Sequence, residues 1–135
     1  VLSASGKPHC SEYPALSLEE LLSASDVVSI HCPLNTHTDS LIDYAKLHLM
    51  KRSAFLVNMA RGGIVVEADL VRALNNKLIA GAACDVYTRE PMPENHPYLK
   101  ELKDKSRLLL SPHIAWASVE ARARLVQGIA DNILK

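Results

Sequence analysis

Glycine is scarce, five among 135 residues, and nowhere do the five form the G-x-G-x-x-G spacing of a dinucleotide phosphate turn. Net charge is absent as well: fifteen Lys plus Arg balance fifteen Asp plus Glu, so the electrostatic footprint of a partner nucleic acid or an anionic membrane is missing. The three cysteines, Cys10, Cys32 and Cys84, include no C-x-x-C. The apolar settings of Cys32 and Cys84 suit reduced thiols and favour a cytoplasmic protein. No apolar run approaches the roughly 18 residues of a membrane-spanning helix, and no charged segment followed by an apolar one opens the chain as a secretion signal would. An initiator methionine is also lacking: residue 1 is Val, inside the strand candidate "VLSA", so the sequence reads as part of something longer. What is present is ordinary globular composition, 48% hydrophobic and 22% charged, enough for one core.

Short apolar runs alternate with helical patterns. After "VLSA", Ser17 and Glu20 form a capping box that opens a helix through about Ala24. "DVVSI" at 26–30 is brief and β-branched, a buried strand. Asp43 caps a short helix carrying Leu47 and Met50; "AFLVN" at 54–58 is the next strand, and "ARGG" turns into a helix with Leu70, Val71 and Leu74 at helical spacing. "LIAGAACDV" at 78–86 is a strand of small residues suited to close packing. "YTREPMPENHPY", with prolines at 91, 93 and 97, is a loop. A last strand, "RLLL", leads into "SPHIAWAS", and Ser118 caps a final helix whose Val119, Leu125, Val126, Ile129 and Ile133 fall largely on one side. Strands alternating with helices through short connections specify an α/β fold, a parallel sheet with helices on its faces.

That topology decides where the polar residues go. Asn58 and Arg61 follow the strand at 54–58, Asp85 ends the one at 78–86 with Glu90 just beyond, and His113 follows the last. Carboxyl ends of parallel strands share one edge, so an arginine, a carboxylate and a histidine far apart in sequence converge there. Solvated decoration of loops is the bland alternative. His31, Cys32 and His37 resemble a metal cluster only superficially, and no metal site is expected. His9, His48 and His96 have no evident partner, and Gly62 and Gly63 suit a tight turn and helix packing.

"NMARGGIV", "CDVYTREP" and "SPHIAWAS", in that order, resemble the signature blocks of the D-isomer-specific 2-hydroxyacid dehydrogenases, and "SLEELLSASDVVSIHCPLNTHTDSLID" resembles the segment before them. The Trp of "PHIAW" draws the resemblance towards the glycerate dehydrogenase and hydroxypyruvate reductase branch. The resemblance implies a Rossmann-like, doubly wound parallel sheet, here partial, with residues 1–135 forming the C-terminal portion of an NAD(P)-binding domain and the substrate domain absent. It also implies hydride transfer between a nicotinamide cofactor, NAD or NADP, and a small D-2-hydroxy acid or 2-keto acid. His113 is then the acid/base with Glu90 as its partner, histidine's ordinary pKa of about 6.5 lying near working pH. Arg61 clamps the substrate carboxylate with its planar fork. Asp85 contacts the nicotinamide carboxamide, Cys32, Pro33 and Ala60 line the cofactor cleft, and Trp116 lies beside nicotinamide or substrate or else plugs the last helix.

The family's first strand and glycine-rich pyrophosphate turn have no counterpart here. In a sheet of order 3-2-1-4-5-6 the first strand is central, so its loss is expected to separate the strands at 1–4 and 26–30 from those that begin at 54. The chain is therefore expected to self-associate or to accompany a missing piece. "VLSASGKP" reads as the second strand and its loop, and Ser5 and Lys7 stand where an NAD-preferring site has a carboxylate, so NADP is expected alongside NAD. A homodimer acting on a small molecule is the expected assembly. The contrasting class is a non-catalytic, dinucleotide-sensing protein-binding module like the C-terminal binding protein corepressors; the intact Arg61, Glu90 and His113 set favours the enzyme.

Overall fold

The computed structural model of the chain describes residues 12–134, so the strand candidate at 1–4, Ser5, Lys7, His9 and Cys10 lie outside the described residues. The elements in chain order are α1 (Leu18–Ala24), β1 (Val27–Ile30), α2 (Tyr44–Leu49), β2 (Phe55–Asn58), α3 (Glu67–Asn75), β3 (Gly81–Cys84), α4 (Pro97–Lys100), a 3-10 turn (Lys105–Arg107), β4 (Leu108–Leu110) and α5 (Val119–Ile133). Local chemistry sets their starts. Ser17 and Glu20 close the capping box on α1, the Asp43 carboxylate accepts the Lys46 N–H at the head of α2, and the Ser118 hydroxyl accepts the Ala121 N–H at the head of α5. The segment at 87–98, read as loop, ends in the short helix α4, which His96 caps and Pro97 starts.

The four strands are parallel in the order β1-β2-β3-β4. The expected gap between the strand at 26–30 and the one at 54–58 does not exist. Val27 through Ile30 pair directly with Phe55 through Asn58, and the Phe55 N–H extends the ladder to the Asp26 carbonyl at 2.9 Å. That pairing makes the segment at 26–30 the immediate neighbour of β2.

Register explains the burial. Val28, Leu56, Ala82 and Leu108 form one row across the sheet, with Ile30, Asn58 and Cys84 in the next, and all are buried in one core with Leu22, Leu47, Leu70, Leu74 and Tyr98 from the helices. The opposite face, with Val27 59%, Phe55 50% and Leu109 71% exposed, is uncovered among the described residues. The apolar stripe of α5 is likewise exposed, although the helix forms where its cap predicts. No described helix is long and apolar enough to cross a membrane.

Candidate active site

The carboxyl edge of the sheet is built from three turns that grip one another. At the end of β2, Asn58 is buried; its side chain accepts the Ala60 N–H at 3.2 Å and donates to the Arg61 carbonyl at 3.0 Å, fixing the turn that carries Arg61. Its own carbonyl accepts the Asp85 N–H at 3.0 Å, tying the first turn to the second. Gly62 seals the contact: a Cβ there would lie 2.0 Å from the Tyr87 carbonyl and 2.4 Å from the Thr88 nitrogen. Only a residue without a side chain lets the chain segments after β2 and β3 approach this closely.

Asp85, buried at the end of β3, organises the third turn. One carboxylate oxygen accepts the Ser111 hydroxyl at 2.6 Å and the Ile114 N–H at 2.9 Å, and the other accepts the Ala115 N–H at 2.8 Å. Burial pushes its pKa up, but those hydrogen bonds outweigh it and hold the carboxyl below the usual range. The bracket encloses His113, whose φ of +55° places it in the left-handed region. A non-glycine residue there is strained, and strain of this kind persists where surrounding bonds over-determine the backbone.

The His113 side chain meets Glu90. Nδ1 lies 2.7 Å from Glu90 Oε2, while Glu90 Oε1 accepts the Tyr87 N–H at 2.9 Å. The bond to His113, with the Tyr87 amide second, draws the Glu90 pKa below the ordinary carboxylate range, so Glu90 is ionised at neutral pH. Nε2 of His113 has no hydrogen-bond partner among the described residues. The pair borders a cavity of about 360 Å³ whose other walls include Tyr87, Met92, Leu110 and Pro112. A larger groove of about 510 Å³ lies on the open sheet face, but its only charged residues, Asp104 and Arg107, pair with each other. The smaller cavity is the one that Glu90 and His113 line.

His113, Glu90 and Asp85 are thus brought together. Arg61 lies in the turn after β2, exposed, its guanidinium on the Ala60 carbonyl at 2.7 Å, and it is not part of the cavity wall. Ala60 is buried beside it. Cys32, half-buried, and Pro33, whose carbonyl accepts the Thr38 hydroxyl at 2.6 Å, follow β1 at the same edge. Trp116 does not plug the last helix: its indole is 56% exposed and donates to the His113 carbonyl at 2.8 Å. His31 meets the Ser29 hydroxyl at 2.7 Å, and burial raises the Cys84 thiol to about 11, which leaves it an inert core group. His96 does have a partner, Glu67, at 3.0 Å.

Sequence reasoning missed Tyr87 and Ser111. The Tyr87 hydroxyl lies within bonding range of the Cys84 and Ser111 carbonyls, at 3.1 and 2.7 Å, joining the ends of β3 and β4. Tyr87 stands two residues after Asp85, inside "CDVYTREP", with no pattern that marks this role.

These residues fit the nicotinamide end of a dinucleotide: a histidine and a carboxylate line an apolar-walled cavity at the carboxyl ends of parallel strands, and an exposed indole is bonded to the backbone of that histidine. A pyrophosphate cradle, a glycine-rich turn opening a helix, is not found among the described residues.

The model of the D-isomer specific 2-hydroxyacid dehydrogenase NAD-binding domain matches residues 3–115. The chain is 46% identical over 117 residues to a glyoxylate reductase of Thermofilum pendens and 43% over 118 residues to a glycerate dehydrogenase of Methylorubrum extorquens. These matches cover 87% of this chain, and 33% and 37% of those proteins. An acyclic imino acid reductase solved in complex with NADPH and D-Arg superposes with a TM-score of 0.85 at 31% identity, over 98% of this chain and 40% of that one. The chain spans about a third of the length of the curated relatives it matches.

Proposed function

Because this chain belongs to the D-isomer-specific 2-hydroxyacid dehydrogenases as their NAD-binding domain, we propose that it supplies the proton-transfer machinery of an oxidoreductase that interconverts a small 2-keto acid and its D-2-hydroxy acid, with hydroxypyruvate and glycerate as the favoured pair. The observation that carries this reading is the 2.7 Å contact between His113 and Glu90 at the mouth of the strands. When bound, the nicotinamide of NAD or NADP supplies the hydride. Reduction then needs one proton at the carbonyl oxygen, and His113 Nε2 gives it up while Glu90 stabilises the imidazolium beforehand. Oxidation runs the same proton back. Arg61 swings from the Ala60 carbonyl to pair with the substrate carboxylate through two parallel hydrogen bonds, holding the carbonyl for attack. Asp85, whose carboxylate oxygens already hold the 111–115 turn, would offer its remaining acceptor capacity to the nicotinamide carboxamide, and Trp116, Ala60 and the Cys32–Pro33 backbone would help hold the cofactor. The two described cysteines are free, which supports a cytoplasmic setting.

The test is oxidation of NADH and NADPH by the complete polypeptide that carries these residues, with hydroxypyruvate and glyoxylate in parallel. His113→Ala should lower kcat by roughly 10²- to 10⁴-fold with little change in nucleotide binding. Arg61→Lys should raise KM for the keto acid by roughly tenfold or more, because a point charge cannot reproduce the fork. Normal turnover in the histidine variant would sink the assignment, and a protein that binds nucleotide but turns over neither acid would favour the sensing module.

A further inference from the structure

A second carboxylate–histidine pair lies behind the first, and the oxidoreductase reading leaves it unused. Glu67 is the first residue of α3, where a carboxylate is favoured by the helix dipole. Its side chain is 15% exposed and that of His96 is 4% exposed. Two donors converge on Glu67: the Thr88 N–H at 2.8 Å on Oε1, and His96 Nε2 at 3.0 Å on Oε2. The His96 tautomer follows from its other nitrogen, since Nδ1 accepts the Tyr98 N–H at 3.2 Å and Nε2 must therefore carry the hydrogen. Two further titratable groups that feel Glu67, Cys84 and Tyr98, are kept protonated by burial.

We propose that Glu67 and His96 form a buried latch that fixes the 87–98 segment and so holds Glu90 on His113, making both positioning residues for the proton transfer inferred above, on which this inference rests. The reasoning runs through one peptide unit. Glu67 grips Thr88 N–H from α3, Gly62 packs against the Tyr87–Thr88 backbone from the other turn, and Tyr87 N–H is the amide that Glu90 accepts. The Glu90 carboxylate is thereby aimed from residues 87–88, and where that backbone sits is set by Glu67. His96 fastens the far end of the same segment: its ring packs at 4.8 Å from Tyr98 and 6.0 Å from Tyr87, and its backbone starts α4. A carboxylate is required at 67 because both neighbours are donors; an amide would set an N–H against one of them.

The test is a set of variants in the complete polypeptide, read by kinetics and by amide exchange. Glu67→Gln and His96→Phe should each lower kcat by roughly tenfold to a hundredfold, as expected for a displaced catalytic partner. KM for the keto acid and nucleotide affinity should stay within about twofold, and the pH–rate profile should take the form seen in Glu90→Gln. Glu67→Asp, which keeps two acceptor oxygens, should recover part of the loss. In a Glu90→Gln background, Glu67→Gln should cost almost nothing more, because both act through one contact. The Tyr87 amide should exchange at least about tenfold faster in either latch variant. Full additivity with Glu90→Gln, or unchanged Tyr87 exchange in both variants, overturns the latch. A wild-type protein that reduces no 2-keto acid defeats the oxidoreductase reading instead, and the exchange measurement then decides the latch by itself.

Discussion

Gly62→Ala adds a single methyl group at the closest approach between the turns that follow β2 and β3. Its Cβ would lie 2.0 Å from both the carbonyl carbon and oxygen of Tyr87 and 2.4 Å from the Thr88 nitrogen. All three are backbone atoms, so no flexible side chain can swing aside, and ordinary contact lies near 3.5 Å. The two turns must separate by roughly 1 Å or more. Overpacking of this kind costs about 1–3 kcal/mol. The displaced segment carries Glu90 at one end and the Glu67 contact in its middle, and on the other side stands Arg61. A shift of about 1 Å in a catalytic group can cost on the order of 10² in rate. Denaturant unfolding and steady-state kinetics on the same preparation read both effects. Gly128→Ala is the internal control: nothing lies within 4 Å of its added Cβ, it sits inside α5, and it should stabilise the helix by up to about 1 kcal/mol. A Gly62→Ala protein within about 0.5 kcal/mol of wild type and of unchanged kcat would refute the close-approach argument.

Acid should loosen the site from its carboxylates. Asp85 and Glu90 both titrate below their ordinary range in the folded chain, so each contributes stability above that range and loses it as pH falls through the folded value. Melts from pH 8 to pH 3 should show no loss from these groups until the pH drops below about 5; Asp85→Asn, which sets an amide against three donors, should melt lower at pH 7 by about 1–3 kcal/mol and lose less on acidification. Equal acid sensitivity in the variant would count against the bracket. For the cofactor, the ratio of kcat/KM with NADPH and NADH should be within about tenfold of unity, a span of roughly 1.4 kcal/mol, since Ser5 and Lys7 offer no carboxylate to repel a 2′-phosphate; a strong NADH preference refutes it. Light scattering on the 135-residue chain should show self-association, because the open sheet face and the stripe of α5 expose Phe55, Leu109, Val126 and Ile133 to water; a monomer at high micromolar concentration would overturn that expectation.

Much of the fold is legible in the sequence because its signals are local. Ser17 with Glu20, Asp43 and Ser118 each name a helix start by a side chain that satisfies backbone amides within three residues, and all three do so in the structure. The strands follow from short β-branched or small-residue runs. Strand order does not, because pairing partners are a long-range property. The segment at 26–30 reads the same whether its neighbour is β2 or a strand before it, and only the register Val27 to Phe55 decides.

The candidate site divides along the same line. Arg61, Glu90 and His113 are named by the chemistry their side chains offer, which spacing and motif carry. Glu67, His96 and Tyr87 are not, because each acts by meeting groups that every residue has: Glu67 takes a backbone N–H twenty-one positions away, Tyr87 bonds a carbonyl twenty-four away, and His96 accepts from an amide two residues on. Such contacts leave no pattern, since an amide looks alike at every position. The same argument explains Asp85. Its motif suggests a ligand contact, but three of the acceptor positions on its carboxylate go to the turn that holds His113 in the left-handed region. That turn needs a buried anion of this length: a neutral carboxamide would leave one of the amides of residues 114 and 115 unpaired and a shorter side chain both, and the strained backbone at 113 would relax and carry the imidazole away from Glu90.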